Sequence, residues 1–168
     1  VVKPGFIIGT ADSGFSNTDD ILWRVVATAA AIKVFPEDPA GTWLYVSSVD
    51  AIATRVTSQL LATGSITVFV DIIDGMLLSK FWELVREELA LASPSVPWDD
   101  WVQVVTRQMN EQHPIWSVQH ILSYRPLLTT QPPGAQEYLE THIAIRSCVR
   151  YLVLSGFIQL SEGLGRGV

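Results

Sequence analysis

Cysteine is almost absent: Cys148 is the only one in 168 residues. An internal disulfide is therefore excluded, and nothing suggests a secreted, disulfide-stapled fold; the chain fits a reducing compartment such as the cytoplasm. Basic residues are few and scattered. Eleven Lys and Arg against seventeen Asp and Glu leave a formal net charge of −6. That balance argues against sequence-independent nucleic-acid binding, which depends on neutralising phosphates. Apolar runs long enough to cross a membrane are missing too. The richest, "RYLVLSGFIQL", is too short and is broken by Gly156. Repeats and low-complexity segments are not seen.

Charge of either sign is also scarce. Charged residues make up 17% of the chain and hydrophobic ones 48%. A monomer with so little polar cover is expected to turn some apolar surface toward another domain or subunit.

Several chemistries lack their residues. His113, His120 and His142 have no cysteine or acidic partners at metal-ligand spacing, so no metal site is expected and the histidines read as surface or satisfied groups. There is no G-x-S-x-G elbow and no P-loop. The terminal "GLGRG" has no strand before it and no helix after it. The adjacent acids Asp19 and Asp20 would point about 100° apart on a helix, which suits first-turn charge better than a paired-carboxylate site.

What is present alternates strands with helices in the first half and turns helical in the second. Val1–Ile8 reads as a buried strand entering from upstream, the expected middle of a larger protein. Asn17 is the expected N-cap of a helix with Asp19 and Asp20 in its first turn, one face formed by Ile21, Val25, Ala29 and Ile32, and its end set by Pro36 and Pro39. Trp43–Val46 is a short strand. Ser47 and Ser48 cap a helix over Val49–Ala62, with Asp50 in its first turn. Ile66–Ile72, "ITVFVDI", is the second clear strand. The next helix lines up Leu78, Trp82, Val85 and Leu89. From Pro94 onward only helices and loops are read: Asp99–Asn110, Pro114–Leu122, a loop "RPLLTTQPPG", and a last helix capped by Thr141 and stopped by Gly156. The fold class is α/β and predominantly helical. Residues 1–72 would end a Rossmann-like sheet with crossover helices, 73–160 would form a small helical lobe, and 161–168 a frayed tail. A two-stranded parallel sheet has open edges, so Val1–Ile8 should seek a neighbour. Self-association of the isolated chain is the expected consequence.

"KPGFIIG", then "GFSNTDDILWR", then "YVSSVDAIA" together resemble the C-terminal part of thioester reductase domains. These are extended short-chain dehydrogenase/reductases at the ends of nonribosomal peptide synthetases, polyketide–peptide hybrids, aminoadipate reductases and carboxylic acid reductases. Val49-Asp50-Ala51-Ile52-Ala53 matches the family's Val-Asp-x-(Val/Ile)-Ala helix start. The resemblance covers nearly the whole chain, and "TWLYVSS" before Val-Asp leans toward fungal multidomain enzymes. It implies that NADPH serves the intact domain. It also implies an upstream nucleotide-binding half, and a phosphopantetheinyl carrier protein that delivers an acyl or peptidyl thioester for release as aldehyde or alcohol.

By the same resemblance, Pro4, Gly5 and Phe6 would approach the nicotinamide, and Ile8, Asn17, Asp20, Trp23, Trp101 and Trp116 would border the substrate. Each has a plainer reading: strand end for Gly5, helix cap for Asn17, core for the tryptophans. The family's Gly-rich nucleotide loop is absent. So is its Tyr-x-x-x-Lys, since none of Lys3, Lys33 and Lys80 follows a tyrosine by four residues. No catalytic residue is therefore expected here, and the chain alone should neither bind NADPH productively nor reduce a substrate. Two alternatives stay open: a reductase-like domain that releases product by Dieckmann cyclisation, and a non-enzymatic acyl-binding or interaction module.

Overall fold

The computed structural model describes residues 1–37, 41–61, 70–123 and 129–160. It is an α/β fold in which, among the described residues, five α-helices outweigh seven short strands.

The opening stretch is two strands rather than the single one expected. Pro4-Gly5 divides β1 (Val2–Lys3) from β2 (Phe6–Ile8). The reason is partnership: β1 pairs in parallel with β5 (Val70–Asp71), while β2 pairs in parallel with β4 (Trp43–Ser48). The junction is tight. A Cβ on Gly5 would lie 2.4 Å from the Tyr45 Cβ and 2.4 Å from its carbonyl oxygen, so only glycine lets β4 come this close. Of the expected Ile66–Ile72 strand, Val70–Asp71 is extended and paired, and residues 66–69 lie outside the described residues. On its other side β4 takes β6 (Gly75–Leu77) in antiparallel register, with Trp43 opposite Leu77.

Helix α1 (Ile21–Ile32) departs from its expected cap and face. Its N-cap is Asp20, whose carboxylate accepts the Leu22 N–H at 2.7 Å, and not Asn17. Asn17 instead closes a local turn by accepting the Asp19 N–H at 3.0 Å, the usual competing use of that side chain. Asp19 and Asp20 thus precede the helix. Ile21 is 39% exposed, while Leu22, Trp23 and the run from Val25 to Ala30 are buried, so the apolar surface runs round most of the circumference. The helix ends at Lys33, in left-handed conformation with φ 56°, whose N–H reaches the Ala29 and Ala30 carbonyls. Pro36 is not the stop: Phe35–Pro36 form β3, parallel to β7 (Ser95–Val96). Pro39 lies outside the described residues.

Helix α2 (Val49–Leu61) begins as expected. Ser48 Oγ accepts the Ala51 N–H at 3.2 Å. Helix α3 (Leu78–Glu88) buries Phe81, Trp82, Leu84 and Val85, and α4 (Trp98–Gln108) buries Trp101 and Val105. A 3₁₀ segment, Trp116–Ser123, kinks at Val118. Helix α5 (Leu139–Leu154) starts two residues before Thr141. That threonine is buried inside the helix and is not its cap, and Gly156 at φ 76° ends the turn that follows. Strand β7 corrects the expectation of only helices and loops from Pro94 onward, and β6 is a strand ahead of α3 where none was expected. The "SEGLGRGV" tail falls outside the described residues.

A buried cluster joins β2, β3, β4 and β6 to α1, α3, α4 and α5, while Ile52 of α2 stands outside it. The cluster runs from Ile8 through Trp23, Phe35, Phe81, Trp101 and Cys148 to Ile158. Across its rim, Arg146 and Arg150 of α5 pair with Glu87 and Glu88 of α3.

Candidate functional site

The parallel strands β2 and β4 end side by side at Ile8 and Ser48, the strand-end position at which α/β folds place ligands. The segment leaving β2 is pinned from both flanks. Ala11 donates its N–H to the Asp50 carboxylate of α2 at 3.0 Å, and its carbonyl accepts the Ser147 hydroxyl of α5 at 2.8 Å. Gly14, at φ 67°, lies so close to Ser147 that a Cβ would sit 2.0 Å from its carbonyl oxygen. Beneath the loop, burial pushes the Cys148 thiol up, so it stays a protonated, inert core group.

Around this loop the expected site residues separate. Pro4, Gly5 and Phe6 are exposed at the break between β1 and β2. Ile8, Trp23 and Trp101 share the buried core; Trp23 packs its ring against Phe81, and Trp101 donates its indole N–H to the Val34 carbonyl at 2.9 Å. Asn17 is exposed. Asp20 is half-buried, and that burial holds its carboxyl above the usual range against the opposing pull of the Leu22 N–H.

Trp116, 37% exposed, lies elsewhere. It lines a groove of about 450 Å³ with Arg24, Ala27, His113 and Phe157, a groove that Asn17 and Asp20 do not line. Arg24 closes one end of it, donating to the Pro114 carbonyl at 2.8 Å and pairing with Asp19 at 2.6 Å. Burial lowers the His113 pKa, so the ring is neutral at pH 7. Sequence reasoning singled out neither Arg24 nor His113 as a groove residue. The one available signal was Arg24 falling a turn after Asp20, where it can reach back to the acids.

A second polar assembly was also missed. Asp74, almost fully buried, pairs with Arg55 of α2 and accepts the Gln136 N–H at 3.2 Å. Arg55 also donates to the Tyr138 hydroxyl at 3.3 Å, which in turn donates to Gln136 Oε1 at 2.8 Å. The network ties α2, the turn before β6 and the approach to α5. Its acid and base neutralise each other, which is a structural arrangement more than a reactive one. Among the described residues no group of three His, Cys, Asp or Glu side chains could hold a metal ion, and no helix is long and apolar enough to cross a membrane. The geometry offers walls, caps and a groove, and at the end of β4 the Ser48 hydroxyl donates to the Glu140 carboxylate at 3.2 Å.

The solved reductase domain of PhqB from Penicillium fellutanum superposes with a TM-score of 0.73 at 26% identity, covering 92% of this chain and 46% of that one. The chain corresponds to a C-terminal part of a terminal reductase domain. Curated relatives agree. An NRPS-like oxidoreductase of Fusarium equiseti is 31% identical over 94% of this chain, and an N-benzoylphenylalaninol synthetase of Penicillium brevicompactum is 28% identical over 97%. No family model matches the chain. The chain spans 16% and 7% of those relatives' lengths, and just under half of the solved domain. The missing nucleotide loop and Tyr-x-x-x-Lys are accordingly features of this stretch of sequence and say nothing of a whole domain.

Proposed function

We propose that this chain is the substrate-binding portion of an NADPH-dependent reductase domain that releases a carrier-bound acyl or peptidyl thioester as an aldehyde or alcohol. The observation that carries this reading is the match of 92% of this chain to just under half of a solved reductase domain, at 26% identity. Two relatives whose names specify an oxidoreductase and the synthesis of an alcohol, N-benzoylphenylalaninol, support it.

The residues present fit NADPH only in part. Exposed Phe6 and the backbone at Pro4-Gly5 offer one apolar side to a nicotinamide ring, and Gly5 is already required by Tyr45. Phosphate recognition belongs to a Gly-rich loop that this sequence lacks. NADPH held largely by the rest of the domain would supply the hydride. This chain's own residues then orient the guest and keep water away. The Ala11 segment, fixed by Asp50 and Ser147, forms a rigid margin beside the strand ends; Asn17 and the Asp20 cap aim α1 from it; Trp116 and the separate groove beside Arg24 offer a second wall for an acyl chain. The carrier protein and its phosphopantetheine arm are the partners this reaction requires.

The test joins this chain to the remainder of its domain and supplies an acyl thioester on a carrier protein. Loss of NADPH absorbance at 340 nm with release of aldehyde or alcohol is expected, and none from the chain alone. Product released as a ring with NADPH unchanged would replace this reading with the Dieckmann one.

A further inference from the structure

Helix α2 is thirteen residues long and buries one of them, Ile52. The helix nevertheless has a well-formed apolar stripe: Val49, Ala53, Val56 and Leu60 follow one another at +4, +3 and +4, the spacing of a single helical face. Leu60 is 79% exposed, Val49 and Ala53 are exposed, and Val56 is half-buried at the rim of a groove of about 240 Å³ that it shares with Val2 and Ile72.

The orientation has a physical cause. The side of α2 that faces the body is fixed by Ile52 and by Arg55, whose guanidinium is latched to buried Asp74 and to Tyr138. At 3.6 residues per turn, the Ile52–Arg55 side lies roughly a quarter-turn from the centre of the apolar stripe. The latch therefore turns the stripe to the side, away from this chain's own core.

We propose that the Val49–Ala53–Val56–Leu60 stripe, with the groove beside it, is the docking surface for the rest of the reductase domain. This rests on the reading above that the chain is part of such a domain. The occupant follows from three observations. The solved domain is about twice the length of the part this chain matches, since the match takes 46% of it. Val56 of the stripe shares its groove with Val2 of β1 and with Ile72, the residue after β5; β1 and β5 are a parallel pair, and parallel sheets are covered by helices on both faces. The chain as a whole also carries little charge to cover apolar area, at 17%. The partner surface is accordingly apolar and belongs to a strand-and-helix layer that continues this sheet.

The experiment places Leu60→Glu and, separately, Ala53→Glu in two proteins: this chain and the whole reductase domain that contains it. Leu154→Glu, on the far end of α5 and 87% exposed, is the control. Thermal unfolding, light scattering and NADPH titration are read on each. The expected result is a change within about 1 °C for the isolated chain and a fall of about 5 °C or more for the whole domain, with the control silent in both. Equal Tm values for wild-type and variant whole domains would overturn the proposal. So would an equal fall in the isolated chain, which would make the stripe part of this chain's own core. Dispersal by Leu60→Glu of a dimer formed by the isolated chain, with the whole domain unmoved, would assign the stripe to a second copy and overturn it as well. A whole domain that ignores NADPH yet shows the split in Tm would sink the redox reading and leave the docking surface standing.

Discussion

Helices α1 and α2 are nearly equal in length and both open on a side-chain cap, yet they live in opposite surroundings. Helix α1 is sealed on most of its circumference, with eight buried residues, whereas α2 buries one. α1 is held by apolar packing against Phe81, Trp101 and their neighbours; α2 is held by a cap, one isoleucine, the Asp50 bond to Ala11 and an ion-pair latch. Amphipathicity alone does not make this difference, since both have apolar stripes. A stripe becomes core only when the rest of the chain supplies the other wall.

The comparison can be broken at its strongest point first. Trp101→Ala removes a fully buried ring and its bond to Val34 at the end of α1, and should cost about 4 kcal/mol in denaturant unfolding. A loss below about 1 kcal/mol would mean that α1 is not held by that packing. Next is Arg55→Ala, which leaves the Asp74 carboxylate buried with its backbone bond alone. Discounted for the half-exposed guanidinium, a loss of about 2 kcal/mol is expected, with faster hydrogen exchange confined to α2. Global acceleration would show that α2 is not the separately latched element described.

Asp20→Ala should cost about 1 kcal/mol through loss of the α1 cap, while Asp20→Asn keeps an equivalent acceptor. The carboxyl's raised pKa means that the folded state binds its proton more tightly than the unfolded chain does. That contribution is fully present below the ordinary value of 3.8 and is lost as pH rises through the raised value. Asp20→Asn should therefore match or exceed the wild-type Tm at pH 7 and lose that advantage toward pH 4; the opposite slope would contradict burial as the cause. The smallest effect belongs to Leu60→Ser in the isolated chain, within about 0.5 kcal/mol, because the side chain touches little.

Much of this architecture is legible in residue spacing. The Leu78, Trp82, Val85 and Leu89 register, the Ser48 cap and the Gly156 stop all appear where local chemistry puts them. What stayed hidden was decided at a distance. Strands β3, β6 and β7 are two or three residues long, too short for an alternating pattern, and exist because Phe35 meets Ser95 and Leu44 meets Met76. Asn17 and Asp20 are comparable caps in isolation; the helix starts at the second because the first is spent on its own turn. Gly5 carried a visible signal of close approach, but its neighbour, Tyr45, is forty positions away and no local rule names it. The candidate site was the least legible part. The tryptophans that pattern alone leaves ambiguous divide between core and groove only once α1 is packed.

The Pro4-Gly5 break makes the first eight residues a shared beam, with one end nailed to β5 and the other to β4. Proline there fixes one dihedral, and glycine is wedged against Tyr45, so the joint is stiff where a free linker would swivel. Rotation of one sheet is thereby transmitted to the other, and the edge that carries Val2 keeps a set angle to the strand ends at Ile8 and Ser48.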